Sequence, residues 1–121
     1  DDEAYLIARA VQFFLPGVPQ VYYVGLLAGE NDMSLLARTG VGRDINRHYY
    51  DIDETRSALQ KPVVQRLLEL IRFRNTHAAF AGMFSHRVDG DVLELSWRHG
   101  DAFATLAVDF ATRRHTLTHA G

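Results

Sequence analysis

The sequence predicts an α/β unit followed by an antiparallel β-sheet domain, and three observations carry that prediction. Between Ala4 and Leu15 the apolar residues fall at Leu6, Ile7, Ala10, Val11 and Phe14, the stripe of an amphipathic helix. From Val18 to Gly25 the chain is β-branched and aromatic, and apolar on both faces. That pattern belongs to a parallel strand covered on each side, not to a half-exposed antiparallel one. Beyond Gly82 the period drops from helical to twofold, which marks a run of antiparallel strands.

Each element follows from local chemistry. Asp1, Asp2 and Glu3 precede the first helix, where carboxylates face the positive end of its dipole. Pro16-Gly17 stops that helix, and a buried strand is expected over Val18–Val24. Helix, tight turn and buried strand in succession make an α/β unit. The segment from Leu26 to Tyr50 is too long and too polar for a routine connection, and loops of that length tend to carry function. Inside it, Asn31-Asp32 caps a short helix through Arg38, after which Gly40 and Gly42 break the backbone. Asp51 with Glu54 three residues on forms a capping-box variant for a helix through Gln60. Pro62 suits the first position of the next helix, whose stripe is Val64, Leu67, Leu68, Ile71 and Phe73, ending near His77.

The domain boundary is placed near Ala81, giving residues 1–81 and 82–121 as the two parts. In the second part Phe84, His86 and Val88 alternate with polar neighbours, and Asp89-Gly90-Asp91 turns the chain into Val92–Arg98. His99-Gly100-Asp101 turns it again into Ala102–Phe110, and Thr112–His119 reads as a fourth strand.

Bulk properties narrow the partners. A formal net charge of -2 gives no electrostatic reason to expect nucleic acid or an anionic membrane. No apolar run approaches the ~20 residues of a membrane span. The absence of cysteine removes disulfides and thiolate metal sites, and it fits a cytoplasmic protein. The chain opens on Asp1-Asp2-Glu3 and enters a helix at once, with no basic region or cleavage site, so a cut within a longer protein is expected.

Few residues carry chemistry. Glu30, Asp32, Asp44, Asp51, Asp53 and Glu54 lie in the long segment or at helix starts, where capping accounts for most of them. Gly40-Val41-Gly42 lacks the third glycine and the strand–turn–helix setting of a phosphate loop. His115 and His119 have the spacing of a helical metal pair but stand in a strand pattern, so no metal is predicted. Trp97, in an alternating strand, is expected to anchor a core or a domain interface. Tyr22 and Tyr23 are expected to pack within the strand, and Tyr49 and Tyr50 under the loop. Asp44, Asn46, Arg47 and His48 are expected to hold the loop's shape by hydrogen bonds. Arg43 has two readings, a brace for the loop or a ligand-binding guanidinium.

The segments LPGVPQVYYVGLLAGENDM (Leu15–Met33) and GRDINRHYY (Gly42–Tyr50) together resemble the sucrose phosphorylase group of the α-amylase superfamily. The likeness extends weakly through Asn75, about half the chain. It implies the C-terminal end of a (β/α)8 barrel (last strand, long loop, last helix), followed by an antiparallel β domain. At 121 residues the chain is well short of the roughly 250 of a complete barrel. The implied reaction moves a glucosyl unit from sucrose to inorganic phosphate with retention, through a covalent glucosyl-enzyme, and needs no cofactor. Such chemistry uses two carboxylates roughly 5 Å apart, and in the group these stand on earlier strands, so no catalytic residue is expected here. The resemblance favours the binding role for Arg43, at the bottom of the donor pocket, where a planar fork can hold a carboxylate and a sugar hydroxyl together. Phosphorylases of sucrose 6'-phosphate, glucosylglycerate or glucosylglycerol share that motif. A non-catalytic carbohydrate-binding or structural module is the rival of another class, and a lone buried-type strand argues against it.

Overall fold

A computed structural model describes residues 1–121. The chain divides into two compact units, one made of Asp1–Pro19 with Glu69–Gly121 and the other of Gln20–Leu68. Helix α5 (Pro62–Thr76) contributes its first half to the second unit and its remainder to the first.

In the first unit, helix α1 (Asp2–Phe14) precedes a sheet of β1 (Met83–Asp89), β2 (Val92–His99), β3 (Ala102–Asp109) and β4 (Arg114–Ala120). All neighbours are antiparallel and the order is β1-β2-β3-β4, the expected meander. Alternation along β3 buries Ala102, Ala104, Leu106 and Val108 and leaves their neighbours half-buried. Register sets Leu95 opposite Leu106 and Trp97 opposite Ala104, so one sheet face is apolar across both strands. Ile7, Ala10 and Phe14 of α1 pack into that face together with Ala79 from the 3-10 turn Ala78–Ala81. The opposite face is polar, with Ser96 Oγ and Thr105 Oγ1 bonded at 2.9 Å and Arg87 paired with Glu94.

The last carbonyls of α1 have no successors in the helix and must find other donors. The indole Nε1–H of Trp97 donates to Phe14 O at 2.7 Å, and the Arg74 guanidinium donates to Phe13 O at 2.7 Å. That guanidinium also lies 4.5 Å above the Phe80 ring, and burial lowers its pKa from the ordinary arginine value. Trp97 is therefore a core anchor, as the alternating pattern implied.

Gly82 shows where the backbone admits no side chain. A Cβ there would overlap the Arg98 carbonyl oxygen and sit 2.8 Å from His99 Cα. Both neighbours are backbone and cannot swing aside. Gly82→Ala should cost about 1–3 kcal/mol in denaturant unfolding, the usual range for forced overpacking. Unchanged stability would show that the backbone opens at this point to admit the methyl group.

The second unit holds α2 (Tyr23–Leu26), α3 (Met33–Thr39), a 3-10 turn (Gly42–Asn46), α4 (Ile52–Leu59) and the start of α5. Val24, Leu27, Leu35, Ala58, Val63, Val64 and Leu67 are its buried apolar residues. The caps fall where sequence placed them. Asp32 Oδ1 accepts from Leu35 N at 2.8 Å, and Gly40 closes α3 at φ +65°. Asp51 and Glu54 make a reciprocal capping box, at 2.8 Å and 2.9 Å.

One expected element is absent. Val18–Val24 is not a strand: Tyr22 is still extended, but Tyr23–Leu26 turns helical, with Leu26 N donating to Tyr22 O at 2.9 Å. A strand exists only through a ladder to a neighbour, and no other segment of this chain pairs with 18–24. Unpaired amides then turn to local acceptors. The expected packing of the Pro62 helix against that strand falls with it. The fold class stands, with helices preceding a four-stranded antiparallel sheet.

Candidate functional site

The second unit assembles its polar groups around the 3-10 turn that carries Arg43. Asp44 N donates to Val41 O at 2.9 Å and Arg47 N to Asp44 O at 3.1 Å, which closes the turn on itself. Asp32 N donates to Ile45 O at 2.6 Å, tying the turn to the start of α3. Arg43 projects from this framework exposed, and its guanidinium has no hydrogen bond or ion pair within the chain.

Behind the turn stands His48. Its Nδ1 is 2.7 Å from Asp32 Oδ2 and its Nε2 is 3.1 Å from Glu54 Oε1. Ionised carboxylates only accept, so both contacts are satisfied together when the ring is an imidazolium. The His48 pKa is accordingly raised, first by the bond to Asp32 and then by the bond to Glu54. Asp32 is lowered by His48 and by its cap to Leu35 N, and Glu54 by the Asp51 amide and then by His48.

Two tyrosines complete the arrangement. Tyr23 Oη donates to His48 O at 3.0 Å, and the Tyr50 ring stands edge-on to His48 with centroids 4.8 Å apart. Gly29 permits this, because a Cβ there would overlap the Tyr50 hydroxyl. Glu30, Asp32, His48, Tyr50 and Lys61 line an open polar pocket of about 550 Å³.

The carboxylates are largely committed. Asp32 and Glu54 hold His48, Asp51 caps α4, Asp53 pairs with Arg56 at 3.6 Å and Asp44 faces Arg47 at 4.0 Å. A nucleophile with a separate acid/base is not assembled among them. What the turn offers is an exposed, unpaired guanidinium on a braced loop.

No protein-family model matches the chain. Individual proteins do. The whole chain is 57% identical to 25% of the sucrose phosphorylase of Agrobacterium vitis. Nearly all of it (98%) is 52% identical to a quarter of the glucosylglycerol phosphorylase of Marinobacter adhaerens. In three dimensions it matches the crystal structure of sucrose 6F-phosphate phosphorylase from Thermoanaerobacter thermosaccharolyticum with a TM-score of 0.96 and 50% identity. That match covers 100% of this chain and 25% of that one. The chain is homologous to the C-terminal portion of the sucrose phosphorylases. It spans about a quarter of the length of these relatives.

His48 holds the loop by side-chain hydrogen bonds as expected, whereas Asp44 and Arg47 meet only as an ion pair at 4.0 Å and Asn46 is exposed. Tyr50 packs under the loop, but Tyr49 is 78% exposed, a correction. Tyr22 and Tyr23 are also exposed and not packed in a strand core, because the helical turn at Tyr23 abolishes the strand alternation. His115 and His119 do lie in β4, where four residues of extended chain separate them by about 13 Å, too far to share a metal ion. Sequence reasoning missed the double use of Glu54, whose Oε1 serves His48 while its Oε2 closes the capping box. The capping box was visible in sequence; the histidine six residues upstream follows no periodicity that would have flagged it.

Proposed function

We propose that this chain is the C-terminal part of a cytoplasmic phosphorylase of the α-amylase superfamily, glycoside hydrolase family 13, acting on sucrose. The observation that carries the reading is its 57% identity, over the whole chain, to a sucrose phosphorylase. Residues 1–81 complete a (β/α)8 catalytic barrel supplied mainly by sequence outside this chain, and 82–121 form its antiparallel β domain. The order of elements supports that division, since the meander begins at Met83.

In the proposed reaction a carboxylate from the rest of the barrel attacks the anomeric carbon of the glucosyl unit. The bond to the fructosyl oxygen breaks, and an acid group protonates that oxygen. A phosphate oxygen then attacks the glucosyl-enzyme, the carboxylate leaves, and the phosphate's proton passes to the acid group and restores it, giving glucose 1-phosphate and fructose with retention. Atoms and charges balance without a cofactor. Arg43 is the contribution of this chain. Its free guanidinium holds the glucosyl ring at the C-terminal face of the barrel, where such enzymes build their sites.

Relatives acting on glucosylglycerol and sucrose 6(F)-phosphate stand at 52% and 51% identity, so the acceptor side is the open specificity. The test is phosphorolysis by the intact protein of sucrose, sucrose 6'-phosphate, glucosylglycerol and glucosylglycerate, followed by ³¹P NMR. Glucose 1-phosphate should form fastest from sucrose, and none should form with residues 1–121 alone. Turnover by the 121-residue chain would refute the assignment of the carboxylates to the rest of the protein.

A further inference from the structure

Resting on the reading of Arg43 as the glucosyl-binding residue, we propose that His48 is a positioning residue. By bridging Asp32 and Glu54 as an imidazolium, it sets the place of the Gly42–Asn46 turn and so of Arg43. Three independent ties converge on that turn and its flank. Asp32 uses its amide on Ile45 O, one carboxylate oxygen on Leu35 N and the other on His48 Nδ1. Glu54 uses one oxygen on the Asp51 amide and the other on His48 Nε2. Tyr23 Oη donates to the His48 carbonyl. The imidazolium thus joins the N-terminal caps of α3 and α4, only five residues beyond Arg43. A helix cap is a rigid reference point, whereas an exposed arginine has none of its own. The bridge gives the arginine a fixed base from groups that never touch the ligand.

The charge state follows from the same contacts. The groups facing His48 are Asp32 from the start of α3, Glu54 from α4, and Tyr50 and Tyr23 beside them. Glu30 and Lys61 share the pocket wall, and Arg47 is its chain neighbour. The hydrogen bonds to Asp32 and then Glu54 outweigh the opposing effect of burial and raise the imidazole pKa. A raised folded-state pKa means the bridge is intact below the ordinary histidine value and is lost as pH climbs through the raised one. Loss of one proton leaves one ring nitrogen unable to donate, and one carboxylate is released.

The test uses the full-length protein. His48→Ala and His48→Gln are made alone and with Arg43→Ala, and kcat/KM per folded molecule is measured with several acceptors and across pH. A shift of the guanidinium by about 1 Å is enough to cost roughly 10- to 100-fold. That loss is expected for His48→Ala and should be equal for every acceptor. In the Arg43→Ala background the same change should cost less than about two-fold, since nothing remains to be positioned. Wild type should lose activity on an alkaline limb that is absent from His48→Gln. A lowered Tm with normal kcat/KM in the His48 variants would overturn the proposal, as would an undiminished His48 effect in the Arg43→Ala background. Should His48→Ala fail to fold, His48→Gln and the wild-type alkaline limb still decide. The Arg43→Ala single variant reports on the underlying reading separately: if it alone keeps full activity, that reading fails whatever His48 does.

Discussion

On the proposed reading, Arg43→Ala in the intact protein should lower kcat/KM by roughly 30- to 1,000-fold, the range for losing a charge-assisted contact in a closed site. Arg43→Lys should not restore it. An ammonium is a point charge and cannot hold a carboxylate with one edge and a sugar hydroxyl with another. On the proposed mechanism the loss should be the same with phosphate and with any other acceptor, because all of them would react with one glucosyl-enzyme. Turnover per folded molecule should fall far more than thermal stability, since within this chain the Arg43 side chain forms no bond that braces the loop. An arginine that served only as a brace would show the reverse, with a lower Tm and near-normal turnover per folded molecule.

Trp97 should dominate stability in the sheet-containing unit. Its ring is only 8% exposed, lies 5.8 Å from Phe80 and 5.2 Å from Phe84, and its Nε1–H satisfies a helix-terminal carbonyl. Trp97→Ala should cost about 3–5 kcal/mol, the usual price of emptying a large aromatic site. Trp97→Phe isolates the polar part, because it keeps most of the apolar volume and strands Phe14 O without its donor. The expected cost is about 1–3 kcal/mol. Denaturant unfolding of both variants measures the two terms. A Phe variant as stable as wild type would mean that water or a neighbour takes over the carbonyl.

The sequence revealed elements whose cause is local. The α1 stripe, the Asp32 and Asp51–Glu54 caps, Pro62 at the start of α5 and the twofold period after Gly82 all appear within a residue or two of their expected places. Each rests on a dihedral preference or a hydrogen bond that neighbouring residues supply. Val18–Val24 failed for the complementary reason. Its apolar, β-branched composition describes a burial environment, and a strand needs a partner ladder that no segment of this chain supplies. Arg43 could be singled out because of its motif, not because of any pattern in the flanking residues. The His48 bridge joins positions 32, 48 and 54, and no periodic reading relates those three. Likewise, the Arg74 and Trp97 donors reach α1 from 61 and 83 residues away.

The central proposal is that this chain supplies the arginine that grips the transferred sugar. A crystal structure of the intact protein with glucose or sucrose bound tests it most directly. The account predicts an Arg43 nitrogen roughly 2.7–3.2 Å from a glucosyl hydroxyl oxygen, and a carboxylate from outside this chain paired with the same guanidinium. A glucosyl ring held wholly by other residues, with Arg43 turned to solvent, would contradict it.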